Sequence, residues 1–80
     1  MAVTSAVRDR ILQLCNERDI SINKLANLSA VPPSSVKNIL YGKSQNPKIV
    51  TIKMLCDGLG ITLGEFFNTP EFDGLEQEIK

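Results

Sequence analysis

Two consecutive prolines, Pro32 and Pro33, stand between two stretches whose apolar residues recur with helical spacing. Inside a helix a proline removes a backbone hydrogen bond and presses its ring against the preceding turn, at a cost of about 3 kcal/mol or more. One continuous helix from Ile22 to Tyr41 is therefore ruled out. At the first position of a helix, by contrast, the missing N–H would have had no partner anyway and the fixed φ already suits the helix. Pro33 fits that position. Pro32 pushes Val31 out of the α region and Pro33 does the same to Pro32, so the chain stays extended and then turns into a new helix over Pro33 to Tyr41. Of the four N–H groups that open a helix, two are absent here. Ser34 and Ser35 keep theirs, at the positive end of the helix dipole, where an anion or a base-edge acceptor is favoured unless the serines only cap their own helix.

The remaining elements follow from periodicity. Val7, Ile11, Leu14 and Cys15 share one face of a first helix, from about Ser5 to Arg18. Ser21 is an N-cap for a second, in which Ile22, Leu25, Ala26 and Leu28 supply the apolar stripe and which ends near Leu28 or Ser29. Val36, Ile39 and Leu40 line the helix that begins at Pro33, and Gly42 can take the left-handed conformation that ends it. After the polar loop "GKSQNP", Ile52, Leu55, Cys56 and Leu59 define a fourth helix closed by Gly60; Gly58 within it costs about 1 kcal/mol relative to alanine. "TLGE" is a capping box, opening a short helix with Leu63, Phe66 and Phe67 facing inward and with Asn68, Thr69 and Pro70 stopping it. "DGLE" repeats that logic at Asp73 and Glu76, and Phe72, Leu75 and Ile79 could line a final turn or two. No strand pattern or internal repeat is present. The class is all-α, with about five helices.

Eighty residues support a single small core, here with only four aromatics, Tyr41, Phe66, Phe67 and Phe72. No apolar run reaches the roughly 20 residues that span a bilayer, and no signal peptide opens the chain, so a cytoplasmic location is expected. Cys15 and Cys56 fall on apolar stripes and read as buried thiols. There is no histidine, no cluster of metal ligands and no glycine-rich phosphate loop, so neither an enzyme nor a metal or other cofactor is expected.

Net charge is zero but unevenly spread. Between Asp19 and Asp57 stand Lys24, Lys37, Lys43, Lys48 and Lys53 with no acid; from Asp57 onward six acids face Lys80 alone. A basic middle suits an anionic partner, most simply nucleic acid, although a solvated basic face has the same composition.

Two short helices joined by a tight turn, the second with a polar outer face, form a helix-turn-helix, here over residues 21–41. Leu25-Ala26, Val31, Val36, Ile39, Gly42-Lys43, Asn46-Pro47, "TIKMLCDGLGI" and "TLGEFF" stand in an order and spacing that resemble the lambda-repressor and Cro-like family, often called XRE, across residues 11 to 67. The resemblance implies a five-helix DNA-binding domain over residues 1–68, followed by an acidic tail over 69–80. Ala26 must be small where the second and third helices approach; Val31, Val36 and Ile39 fill the space between them. Four positions depart from the family pattern. Ile22 replaces a phosphate-bracing glutamine; Ala30 replaces the turn glycine and must bear left-handed strain or adopt another turn; Cys15 and Leu40 replace both halves of an ion pair.

By the same resemblance, Pro33, Ser34, Lys37 and Asn38 are the base-reading positions: Pro33 offers only apolar contact, Lys37 reaches guanine, and Asn38 suits adenine. Ser21, Asn23, Ser35, Tyr41, Lys43, Ser44, Gln45 and Asn46 would contact the DNA backbone. The implied partner is an operator in double-stranded DNA, bound by a homodimer on half-sites about 34 Å apart, with Phe66, Phe67, Phe72, Leu75 and Ile79 as dimer interface. The implied function is a transcriptional regulator, a repressor. The alternative is an antitoxin-like or other protein-interaction module on the same scaffold, its acidic tail gripping a small basic protein.

Overall fold

Six helices follow one another in the computed structural model, which describes residues 2–41 and 46–79: α1 (Ala2–Glu17), α2 (Ile22–Ser29), α3 (Pro33–Leu40), α4 (Ile49–Leu59), α5 (Leu63–Phe67) and α6 (Pro70–Asp73). The all-α class is as expected from the periodicity. Each main stripe is buried: Val7, Ile11, Leu14 and Cys15 on α1, Val36, Ile39 and Leu40 on α3, Ile52, Leu55, Cys56 and Leu59 on α4. Cys15 and Leu40, the two apolar replacements, both lie in this core. Burial pushes the Cys15 and Cys56 thiols above their ordinary pKa, so both stay protonated and weakly nucleophilic.

One connection recurs three times. A left-handed residue ends a helix, the next residue is apolar and sends its N–H back to the last turn, and the following residue opens the next helix. Asp19-Ile20-Ser21, Ala30-Val31-Pro32 and Gly60-Ile61-Thr62 are its versions, with φ of 52°, 55° and 73° at the first residue. The returning bonds, Ile20 to Cys15, Val31 to Ala26 and Ile61 to Cys56, measure 3.0, 3.1 and 3.0 Å. Val31 is buried and Ile20 and Ile61 pack on the core, so each turn is pinned by a backbone bond and an apolar side chain together. Ala30 thus bears the left-handed strain, which costs an L-residue roughly 1–2 kcal/mol.

Two residues of the α2 and α4 stripes behave differently from expectation. Leu28 is half exposed, and Ser29 takes the inward position at i+7 from Ile22. The reason lies on α4. At Gly58 a Cβ would overlap the Ser29 hydroxyl and stand 3.0 Å from the Leu28 carbonyl carbon, so α2 and α4 are in near backbone contact. A leucine cannot enter that crossing, and Gly58, whose helix propensity reads as a liability, is what allows α2 its most extensive packing. Ala26, expected to be small for the α2–α3 approach, is buried as well.

The C-terminal segment departs most from the sequence reading. α5 ends at Phe67, ahead of Asn68, Thr69 and Pro70 as expected, and Pro70 also starts α6: Thr69 is its N-cap, and the Gly74 N–H closes the single turn on the Pro70 carbonyl at 2.9 Å. Asp73 ends this helix instead of capping a later one, and Ile79 is 88% exposed, lining nothing. The packing also runs through the boundary expected at residue 68. Phe72 sits 4.9 Å from Phe67 and 6.2 Å from Phe66 between ring centres, and Phe66 and Phe67 meet edge-on at 4.8 Å.

A helix as short as α5 is marginal alone. Thr62 and Glu65 close its capping box, at 3.0 and 3.1 Å, and Arg10 on α1 holds its other end. The guanidinium donates from Nε to the Phe66 carbonyl and from Nη2 to the Glu65 carbonyl, both at 2.8 Å.

Candidate nucleic-acid interface

The expected reading surface begins at α3. Its N-cap is Pro32, extended at ψ 136°, and Pro33 occupies the first turn with no side-chain cap, as the diproline requires. The Ser35 N–H is already taken by the Pro32 carbonyl at 2.9 Å, because the first turn is tight. This corrects the expectation that both serines keep an open N–H: the opening narrows to Ser34, and neither serine caps the helix through its side chain.

With Val36, Ile39 and Leu40 inward, the opposite side of α3 presents Pro33, Ser34, Lys37 and Asn38 to solvent. Tyr41, the C-cap, is 70% exposed, and Asn46 is exposed where the described chain resumes. Lys43, Ser44 and Gln45, together with Gly42, lie outside the described residues. Across the turn, Ser21 accepts the Lys24 N–H at 3.0 Å through its side-chain oxygen, which leaves its hydroxyl proton for a phosphate. Asn23 is exposed beside it, while Ile22 packs on the core and supplies no polar contact.

Two further residues join this face that the sequence reading did not select. A recess of about 270 Å³ separates α3 from the start of α4, bounded by Ser35 and Asn38 on one side and by Asn46, Lys48 and Thr51 on the other. Lys48 is the N-cap of α4 and is exposed, so a cationic residue opens that helix. The signal was present in the run "NPK" ahead of an apolar stripe, which marks a helix start. Lys53, counted with the basic middle, is instead paired with Asp57 one turn along α4.

Of the five residues expected to form a dimer interface, Phe66 is wholly buried, and Phe67 and Phe72 are half buried against it. The reason is the ring cluster: the apolar surplus of the C-terminal segment is largely absorbed within the chain. Leu75, half buried, and Ile79 are what remains at the surface.

An α2–turn–α3 pair with its polar side outward, braced by α1 and α4, defines a helix-turn-helix DNA-binding domain. The chain belongs to the Cro/C1-type HTH DNA-binding domain family, whose model matches residues 10–71. Among solved structures it is similar to one titled "Crystal structure of the prophage Lp1 protein 11", with 29% identity, 90% of this chain and 95% of that one covered, and a TM-score of 0.79. Comparison with curated protein sequences gives no match. The protein is thus a DNA-binding regulatory domain. Among the described residues no helix is long and apolar enough to cross a membrane.

Proposed function

We propose that the protein is a sequence-specific repressor of transcription that lays α3 in the major groove of its operator. The observation that carries this reading is the two-sidedness of α3, with Val36, Ile39 and Leu40 in the core and Ser34, Lys37 and Asn38 in solvent. Asn38 suits a bidentate pair with adenine and Lys37 a contact to guanine O6 or N7, each worth about 1–3 kcal/mol of discrimination. Ser21, Asn23, Ser35, Tyr41 and Asn46, with Lys43, Ser44 and Gln45, would hold the backbone, and Lys48 and Thr51 extend that set across the recess. Phosphate contacts fix position and carry no sequence information. A domain of this size represses most simply by occupying its site and excluding other proteins.

One helix in one groove gives limited affinity, so two copies would sit on half-sites about 34 Å apart. Because Phe66, Phe67 and Phe72 are spent on one another, the tail leaves only Leu75 and Ile79 for pairing, too little to join two copies, which the operator would hold side by side without that surface. Selection of bound sequences from a random DNA pool at fixed salt tests the reading. The expected product is a pair of related half-sites one helical turn apart; a pool that stays random would reduce the protein to nonspecific binding.

A further inference from the structure

A groove of about 550 Å³ runs between α1 and the α6 segment, and none of its lining residues belongs to α2, α3 or the start of α4. Ala6, Phe72 and Leu75 give it an apolar floor, and Asp9 and Glu71 place carboxylates on its walls. Arg10 also lines it, but its guanidinium already serves the Glu65 and Phe66 carbonyls and the Gln13 side chain. Arg10 keeps its positive charge on the α1 wall, whereas the C-terminal side carries one sign. Residues 57 to 79 hold Asp57, Glu65, Glu71, Asp73, Glu76 and Glu78 and no lysine or arginine, and among the described residues the one ion pair is Lys53–Asp57.

We propose that this groove docks a second protein through a basic segment with an apolar anchor, the anchor lying on Phe72 and Leu75 and the cations facing Asp9 and Glu71. Charge complementarity selects the occupant: an acidic rim repels nucleic acid, and an apolar floor this large is wasted on a simple cation. Volume agrees, since sites of this size bury side chains rather than single ions. A second copy of this chain, which could offer Arg8, Arg18 or Lys24 as well as Lys37 and Lys48, is an outcome of the test below. Since groove and reading face share no residue, the partner and the operator can be held at once.

Selection of phage-displayed random peptides on the full chain tests this. Enriched peptides should combine lysine or arginine with leucine, phenylalanine or methionine. A synthetic copy should move the backbone amide NMR signals of Asp9, Phe72 and Leu75, and its affinity should fall about tenfold or more in Glu71→Lys, an exposed substitution that leaves melting and operator binding unchanged. No enrichment, acidic peptides, affinity unchanged in Glu71→Lys, or displacement of the peptide by operator DNA would each overturn the proposal. Concentration-dependent shifts of the same amides without peptide would overturn it in favour of a second copy. Loss of operator binding in variants of α3 bears on the DNA reading alone, so the two can fail separately.

Discussion

The turns Ala30-Val31-Pro32 and Gly60-Ile61-Thr62 share one backbone design and an apolar middle residue, and differ in character at the first and third side chains. At the second, glycine takes the left-handed position without strain and Thr62 caps α5 through a full capping box. At the first, alanine bears the strain and proline opens α3 with no side-chain cap. The turn that leads into packing is locally favourable; the turn that leads into the reading helix is not. What holds the first is tertiary: Val31 is buried, and α2 is clamped to α4 at Gly58. The recognition helix therefore owes its position to its neighbours more than to its own ends.

That contrast can be broken from either side. A domain of this length has a total stability of roughly 4–12 kcal/mol. Phe66→Ala should have the largest effect, about 3–5 kcal/mol in urea unfolding followed by circular dichroism, by emptying the centre of the ring cluster. Gly58→Ala comes next, at about 1–3 kcal/mol in urea unfolding, because the added methyl meets Ser29 and the backbone of Leu28. On propensity alone that substitution would stabilise α4 by about 1 kcal/mol, so its sign separates the two accounts. Thr62→Ala should cost about 1 kcal/mol by removing the cap on the favourable turn. Ala30→Gly should act in the opposite direction: relief of roughly 1–2 kcal/mol of strain, less about 0.4–1 kcal/mol of added unfolded-chain entropy, raises stability by about 0.5–1 kcal/mol. An unchanged melting temperature there would mean that the turn is not strained.

How much of this was legible in the sequence follows the same division. The α1, α3 and α4 stripes were readable because an amphipathic period records burial directly, and the α3 start was readable because proline permits so few alternatives. Gly58 was misread because its neighbour is thirty residues away in sequence: propensity sees only the helix it sits in, not the helix pressed against it. Leu28 and Ser29 were exchanged for the same reason. Asn68, Thr69 and Pro70 do stop α5, but that Pro70 also opens α6 was not legible, because only Phe72, packing back on Phe67, holds that turn. In the site, α3 was found from pattern and resemblance, whereas Lys48 and Thr51 join it only through the recess between α3 and α4.

The central claim is that α3 reads bases while its surroundings hold the backbone. Its most direct measurement is the affinity of the wild type and of Asn38→Ala for the selected operator and for a scrambled duplex of equal length at one salt concentration. Asn38 is exposed and off the core, so the variant should melt like the wild type. The account predicts a loss of about 1–3 kcal/mol, roughly 5- to 150-fold, on the operator and little change on the scrambled duplex. Equal losses on both, or none on either, would contradict it.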